Sequence, residues 1–412
     1  MVVYEPTDPR WSTDPWPGYA ELRATAPIHR SPRNFWVLTR HADCLAVLRD
    51  RRASSDSTNL DPGRAPEDFV SPRPPLLSDP DAPERGAEDN RPFLFRDPPD
   101  HTRLRALVAK AFTPRMVEGL RARTRQIVGQ LLDDALAAGG MDVVADFAYP
   151  LPVRIICDLL GVPAVDEPLF HDWSAALARG LDPEFLLTDE VRQARVDALL
   201  SFAEYFFGLL AERRRRPGTD LLSRLALAEE HGDMLSEGEL LSTAILLLVA
   251  GHETTVNLIS GGILALLEHP GELDRLRADP GLARSAVEEL VRYVSPVQLT
   301  GRTMLDDLEV GGQVLPKGDF VLVLVASANR DPAAFAEPDR LDLGRSDNRH
   351  LGFGFGIHHC LGAPLARLEA QVALPELLAR AASVDLATDA PAYRQNVVLR
   401  GLRALPVSLV PA

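Results

Sequence analysis

The sequence predicts a mainly α fold with a small β region, built as one large domain over residues 1–412. Three observations lead there. Segments with helical apolar spacing dominate, at Arg40–Asp50, His101–Phe112, Arg115–Ala138, Val191–Arg215, Glu237–Glu268 and Ala363–Ala382. Short β-like runs at Phe35–Leu38, Leu308–Val310, Gln313–Leu315 and Phe320–Val325 are punctuated by the turns Gly311-Gly312 and Pro316-Lys317-Gly318, so a small sheet flanks the helical body. No Gly/Ser-rich linker, repeat or low-complexity tract divides the 412 residues, and a 46% hydrophobic content suffices for a large core.

Taken in order, the elements carry further information. Met1–Pro17 lacks an apolar block, so neither a secretory leader nor a membrane anchor is expected there, and a cytoplasmic location follows. The three cysteines, Cys44, Cys157 and Cys360, are odd in number and widely spaced, which argues against a disulfide framework. Cys44 and Cys157 fall within apolar helical patterns and read as core residues. Ala53–Pro99 is crowded with Pro, Asp and Arg and reads as a long loop of the kind used for lids and binding segments. The basic run Arg213–Arg216 before Pro217-Gly218 reads as a solvated helix C-terminus, where cations suit the dipole. A net charge of −15 repels polyanions, so nucleic acid and an anionic membrane surface are both poor partners.

The stretch Glu237–Glu268 opens with a capping-box pattern, Ser236 and Glu239, and stops at His269-Pro270-Gly271. Its centre breaks the apolar pattern with Ala250-Gly251-His252-Glu253-Thr254-Thr255. Burying an acid and hydroxyls in a helix is unfavourable unless they are hydrogen-bonded, so this island points to chemistry. The bland alternative has Thr254 bonding its own i−4 carbonyl while Glu253 reaches solvent. A further helix, opened by Asp279-Pro280 and closed before Pro296, puts Glu289 and Arg292 three apart on one face. Alone, that pair reads as a solvated contact. Yet Glu289 lies at the edge of the arc formed by Leu282, Ala286, Leu290 and Tyr293, which draws it inward.

The most informative segment is Phe353-Gly354-Phe355-Gly356-Ile357-His358-His359-Cys360-Leu361-Gly362, which precedes a helix. A glycine-rich loop thus delivers Cys360 to a helix N-terminus, where backbone N–H groups and the dipole favour a thiolate. Gly354, Gly356 and Gly362 would let a flat cofactor approach the backbone. A dinucleotide loop would require G-x-G-x-x-G within a βαβ unit, whereas the spacing here is G-x-G-x-G. A zinc site on His358, His359 and Cys360 would need adjacent side chains to converge on one ion.

This F-x-x-G-x-x-x-C-x-G loop resembles the haem-binding loop of the cytochrome P-450 family, and three other segments match as well. The resemblance runs from about Trp16 to the C-terminus. It implies that Cys360 is the axial ligand of one non-covalently held haem b, with Phe353 packed beneath the haem. It implies that Glu253 and Thr254 relay protons beside the oxygen site, with Gly251 leaving room there. Glu289 and Arg292, completed by Arg340 from Phe335-Ala336-Glu337-Pro338-Asp339-Arg340, would form a structural ion network; Leu341 stands where many members carry Phe. His101 and Arg105, from Asp97-Pro98-Pro99-Asp100-His101-Thr102-Arg103-Leu104-Arg105, would hold the haem propionates with Arg302 and His358.

The implied activity is insertion of one oxygen atom from O₂ into a small molecule, with electrons from NAD(P)H. No flavin or nicotinamide domain accompanies the haem motifs, so a separate ferredoxin and ferredoxin reductase are expected, with Arg103 and Arg349 as candidate contacts. Ala53–Pro99 and the Asp182–Arg192 connection would frame a wide entrance, suited to a bulky secondary metabolite. A peroxide-driven enzyme and a non-catalytic haem sensor are the alternatives.

Overall fold

The computed structural model describes residues 2–6, 8–66, 91–182, 186–230 and 233–412. The expected capping box starts the central helix Glu237–Glu268. The Ser236 hydroxyl accepts from the Glu239 N–H at 3.2 Å, and the Glu239 carboxylate accepts from the Ser236 N–H at 2.8 Å. This helix is long and apolar enough to cross a bilayer, but most of its apolar stretch is buried against other parts of the chain. Pro150–Leu160, Asp189–Arg215, Ala283–Val294 and Ala363–Arg380 pack around it. Phe170, Phe202 and Phe206 lock the helices Phe170–Arg179 and Asp189–Arg215 together, with Phe170 stacked on Phe202 at 5.5 Å.

The single helix expected over Arg115–Ala138 is two, Pro114–Gly119 and Arg121–Ala138, joined at Leu120. Thr113 caps the first by accepting from the Met116 N–H at 3.2 Å. The last helix ends at Arg380 and turns directly into the strand Ala381–Leu386, two residues short of its expected end.

Five strands form the main sheet, in the spatial order Ile28–Arg30, Trp36–Leu38, Phe320–Val323, Thr300–Met304, Ala53–Ser54. Trp36–Leu38 pairs parallel with Phe320–Val323, and the other neighbours are antiparallel. A second, antiparallel sheet joins Ala381–Leu386, Pro406–Pro411 and Gly140–Asp142. The start of the expected long loop is therefore an edge strand. Asp56 and Asp97 tie its described ends together: Arg91 pairs with Asp56 at 2.5 Å, while Asp97 accepts from the Ser54 hydroxyl, the Ser55 N–H and the Asn59 amide. The middle of that loop, 67–90, and residues 183–185 of the Asp182–Arg192 connection lie outside the described residues.

Apolar side chains gather in three clusters. The largest lies among the helices and includes Cys157; the second, between the helix His41–Arg49 and the sheet, includes Cys44; the third packs Tyr4, Trp11 and Tyr19 against the sheet. Both cysteines are buried, and burial raises their thiols, Cys157 to about 12.

Candidate active site

The loop ahead of Ala363–Arg380 is shaped by two glycines in the left-handed region, Gly354 at φ +69° and Gly356 at φ +70°. A methyl on Gly356 would lie 2.8 Å from the Leu48 carbonyl, so this glycine is required by close contact with the neighbouring helix. The Cys360 N–H donates to the Phe353 carbonyl at 2.8 Å, closing the loop. The Cys360 sulfur is accessible yet set deep among protein atoms. Burial dominates and raises its thiol, against the pull of backbone donors at Gly362 and Ala363 and of Arg105 and Arg367. The backbone donors at the helix terminus thus act in the direction the sequence suggested, towards the thiolate, with burial opposing them. Phe353 is half-buried, and the Arg367 guanidinium stacks over its ring at 4.4 Å.

Around this loop the fold gathers four polar side chains from distant segments. His101 and His358 face each other with ring centroids 4.3 Å apart, and none of their four ring nitrogens has a partner among the described residues. Arg105 donates to the His359 carbonyl at 2.5 Å, and Arg302 to the Thr300 hydroxyl at 3.1 Å and the Gly301 carbonyl at 2.6 Å. Neither arginine forms an ion pair among the described residues. Burial pulls Arg302 down to about 10; burial, then Arg302, His101 and Arg105, pull His358 down to about 3. Partnerless buried donors of this kind are unfavourable unless an anion joins them.

On the central helix, Leu247, Gly251 and Thr254 are part-exposed and Ala250 exposed, so one stripe of an otherwise buried helix faces open space. A methyl on Gly251 would meet Ile156 at ordinary contact distance, 3.5 Å. Thr254 donates to the Ala250 carbonyl at 3.0 Å, the i−4 bond of the bland alternative. Glu253 departs from that alternative: it is buried, and Arg394 holds its carboxylate at 3.1 and 3.4 Å. His252, fully buried beside it, has Nε2 4.0 Å from the same carboxylate.

Glu289 and Arg292 are both fully buried and joined by two hydrogen bonds, at 2.7 and 2.8 Å. Arg292 also donates to the carbonyls of Asn329, Pro338 and Arg340. The third member is Arg345, whose Nε lies 3.1 and 3.0 Å from the Glu289 oxygens. Arg340 was expected there. Its guanidinium instead meets Glu337 at the surface, and only its backbone carbonyl serves the network. Arg103, expected to face a redox partner, is paired with Glu239. Arg349 is exposed beside Asp347.

The sequence profile described as Cytochrome P450 matches residues 78–280 and 281–387. The chain belongs to the cytochrome P450 family. It is 44% identical to cytochrome P450 CYP107DY1 of Priestia megaterium, covering 90% of this chain and 89% of that one. It is 40% identical to 6-deoxyerythronolide B hydroxylase of Saccharopolyspora erythraea over 95% of each. The polyketide biosynthesis cytochrome P450 PksS of Bacillus subtilis is 41% identical over 99% of both chains, and its solved structure superposes with a TM-score of 0.87, covering 99% of this chain and 100% of that chain at 40% identity. The fold is thus the P450 fold and the protein a P450 monooxygenase.

P450s carry haem, and the residues present fit one. The exposed Cys360 at the end of a glycine-rich loop would supply a metal ligand; His101 and His358 offer ring nitrogens with no partner among the described residues, and Arg105 and Arg302 offer cations with no ion pair among them, to a dianion. Sequence reasoning missed Arg345, Arg367 and Arg394. None sits in a motif; each is recognised only by the carboxylate or ring it meets across the fold.

Proposed function

We propose that this P450 inserts one atom of O₂ into a bulky secondary metabolite, with electrons passed from NAD(P)H through a separate ferredoxin and its reductase in the cytoplasm. The reading takes residues 1–412 as one haem-binding unit. The observation that carries it is the cluster beside Cys360 of four imidazole nitrogens without partners, and two arginines without ion pairs, among the described residues. Haem bound there supplies oxygen activation.

The chain's residues do the rest. Cys360 would supply the sulfur ligand to the haem iron, and the backbone donors of Gly362 and Ala363, with Arg105 and Arg367, pull towards its anionic form. Phe353, held under Arg367, shields the sulfur from water. Gly354 permits the loop's left-handed turn. His101, His358, Arg105 and Arg302 neutralise the propionates. Glu253 carries protons inward, and Thr254 passes them on once its hydroxyl leaves the Ala250 carbonyl; Gly251 keeps that stripe free of side chain. The substrate class is supported by two relatives, one named for polyketide biosynthesis and one for hydroxylating 6-deoxyerythronolide B.

Cys360→Ser tests the ligand: the strongly red-shifted Soret band of the ferrous carbon monoxide complex should vanish, while Cys44→Ala and Cys157→Ala keep it. Persistence of the band in Cys360→Ser refutes the assignment. Spin-state titrations with a size-graded compound series test the substrate class, which fails if only small compounds bind.

A further inference from the structure

The C-terminal segment folds into an irregular hairpin across the central helix. The Arg394 N–H donates to the Gly401 carbonyl at 2.9 Å, the Arg403 N–H to the Ala392 carbonyl at 2.7 Å, and Tyr393 bridges to Leu402. The hairpin is seated on the helix at two places one turn apart. Arg394 meets Glu253, and Gly401 lies so close to Asn257 that a methyl there would fall 1.9 Å from its amide oxygen. Asp182 holds the hairpin from the far side, accepting from the N–H groups of Val397 and Val398 at 2.9–3.1 Å. Arg394 is therefore fixed by its backbone, not swinging from a loose end.

The exposures complete the geometry. The Glu253 side chain is 5% exposed and that of Arg394 31%. Arg394 thus spans from the buried carboxylate to the solvent edge. His252, which also faces Glu253, is fully buried, and its proton affinity is lowered chiefly by burial; Tyr149, packed edge-on against His252, feels the same carboxylate.

We propose that Arg394 is a positioning residue for proton delivery: it fixes the Glu253 carboxylate on the line between the solvent edge and Thr254. The proposal rests on the relay reading of Glu253. Each proton that leaves the Glu253 carboxyl towards Thr254 leaves a carboxylate, which takes up one proton from bulk solvent at the Arg394 edge, so the carboxyl is regenerated and charge balances. Reducing O₂ to water takes four electrons and four protons; release as hydrogen peroxide takes two of each. A misplaced relay therefore slows oxygen consumption and shifts its product towards peroxide.

The test uses the haem-loaded full chain with a surrogate ferredoxin, its reductase and NADPH, with no added substrate. It reads the oxygen consumption rate, the peroxide fraction, the solvent deuterium isotope effect, and amide hydrogen exchange across residues 392–403. Glu253→Gln should slow oxygen consumption by about 100-fold. Arg394→Gln should slow it by about tenfold, raise the peroxide fraction and enlarge the isotope effect, while Arg394→Lys should recover to within about threefold of the parent. Exchange across 392–403 should stay unchanged in Arg394→Lys. Arg394→Gln that speeds exchange but leaves the isotope effect and peroxide fraction at parental values overturns the proposal, making Arg394 a clamp on the hairpin. If Glu253→Gln leaves rate and isotope effect intact, the relay reading falls, and the proposal with it. If Glu253→Gln is impaired and Arg394→Gln is not, the proposal alone falls.

Discussion

Removing Arg345 should destabilise the protein, whereas removing Arg340 should not. Glu289 is fully buried and carries a charge balanced by Arg292 and Arg345; its remaining contacts are the Asp342 N–H at 3.0 Å and the Asn348 amide at 3.2 Å. Arg345→Gln takes away one of the two cations and both of the contacts made by its Nε. Breaking a buried ion pair from one side costs roughly 3–5 kcal/mol, because the other charge stays desolvated. Arg292 still neutralises Glu289, so we expect about 3 kcal/mol. The Arg340 side chain is 58% exposed and its ion pair is with Glu337, itself 71% exposed. Pairs of that kind contribute little, so Arg340→Gln should lie within about 0.5 kcal/mol of the parent. Urea unfolding of the three haem-loaded proteins, followed by far-ultraviolet circular dichroism, measures the difference. An equal or larger loss in Arg340→Gln would refute the assignment of Arg345 as the second cation on Glu289.

Two further outcomes follow. Glu369 is fully buried with neither carboxyl oxygen partnered among the described residues, and burial raises it well above its ordinary value of 4.5. A raised acid holds its proton more tightly when folded, so its contribution is fully present below the ordinary value and is lost as pH rises. Relative to Glu369→Gln, the parent should lose up to about 1.4 kcal/mol per pH unit above that value, and parallel unfolding curves from pH 4 to 8 would contradict this. Replacing both His101 and His358 by Ala removes two donors from the propionates, each contributing about 1.5–3 kcal/mol if charge-assisted. Haem transfer to apomyoglobin should then speed up by at least tenfold, and an unchanged rate would remove the two histidines from the cofactor's hold.

What the sequence revealed was local. The Cys360 loop, the Ser236–Glu239 cap and the Glu253 island are contiguous in the chain, so their geometry follows from neighbouring residues. Arg345 was not legible because the network closes through a surface turn. Glu337 there has φ +45°, and the turn sends the Arg340 side chain outward while presenting its carbonyl inward. The strands Ala381–Leu386 and Pro406–Pro411 pair with each other, and the second also with Gly140–Asp142, far away in sequence, and neither has a clean alternation to mark it. Glu369 was hidden by its own helix, where a charged residue every few positions normally marks the wet face.

The three thiols are unequally available. Cys44 and Cys157 are sealed in apolar clusters, with burial holding both in the unreactive protonated form, while the Cys360 sulfur is accessible. A maleimide should therefore modify a single position of the folded apoprotein, and metal ligation should block that position. Counting labels per chain by intact mass would report cofactor occupancy without any optical signal, and would do so equally well in variants whose spectra are abnormal.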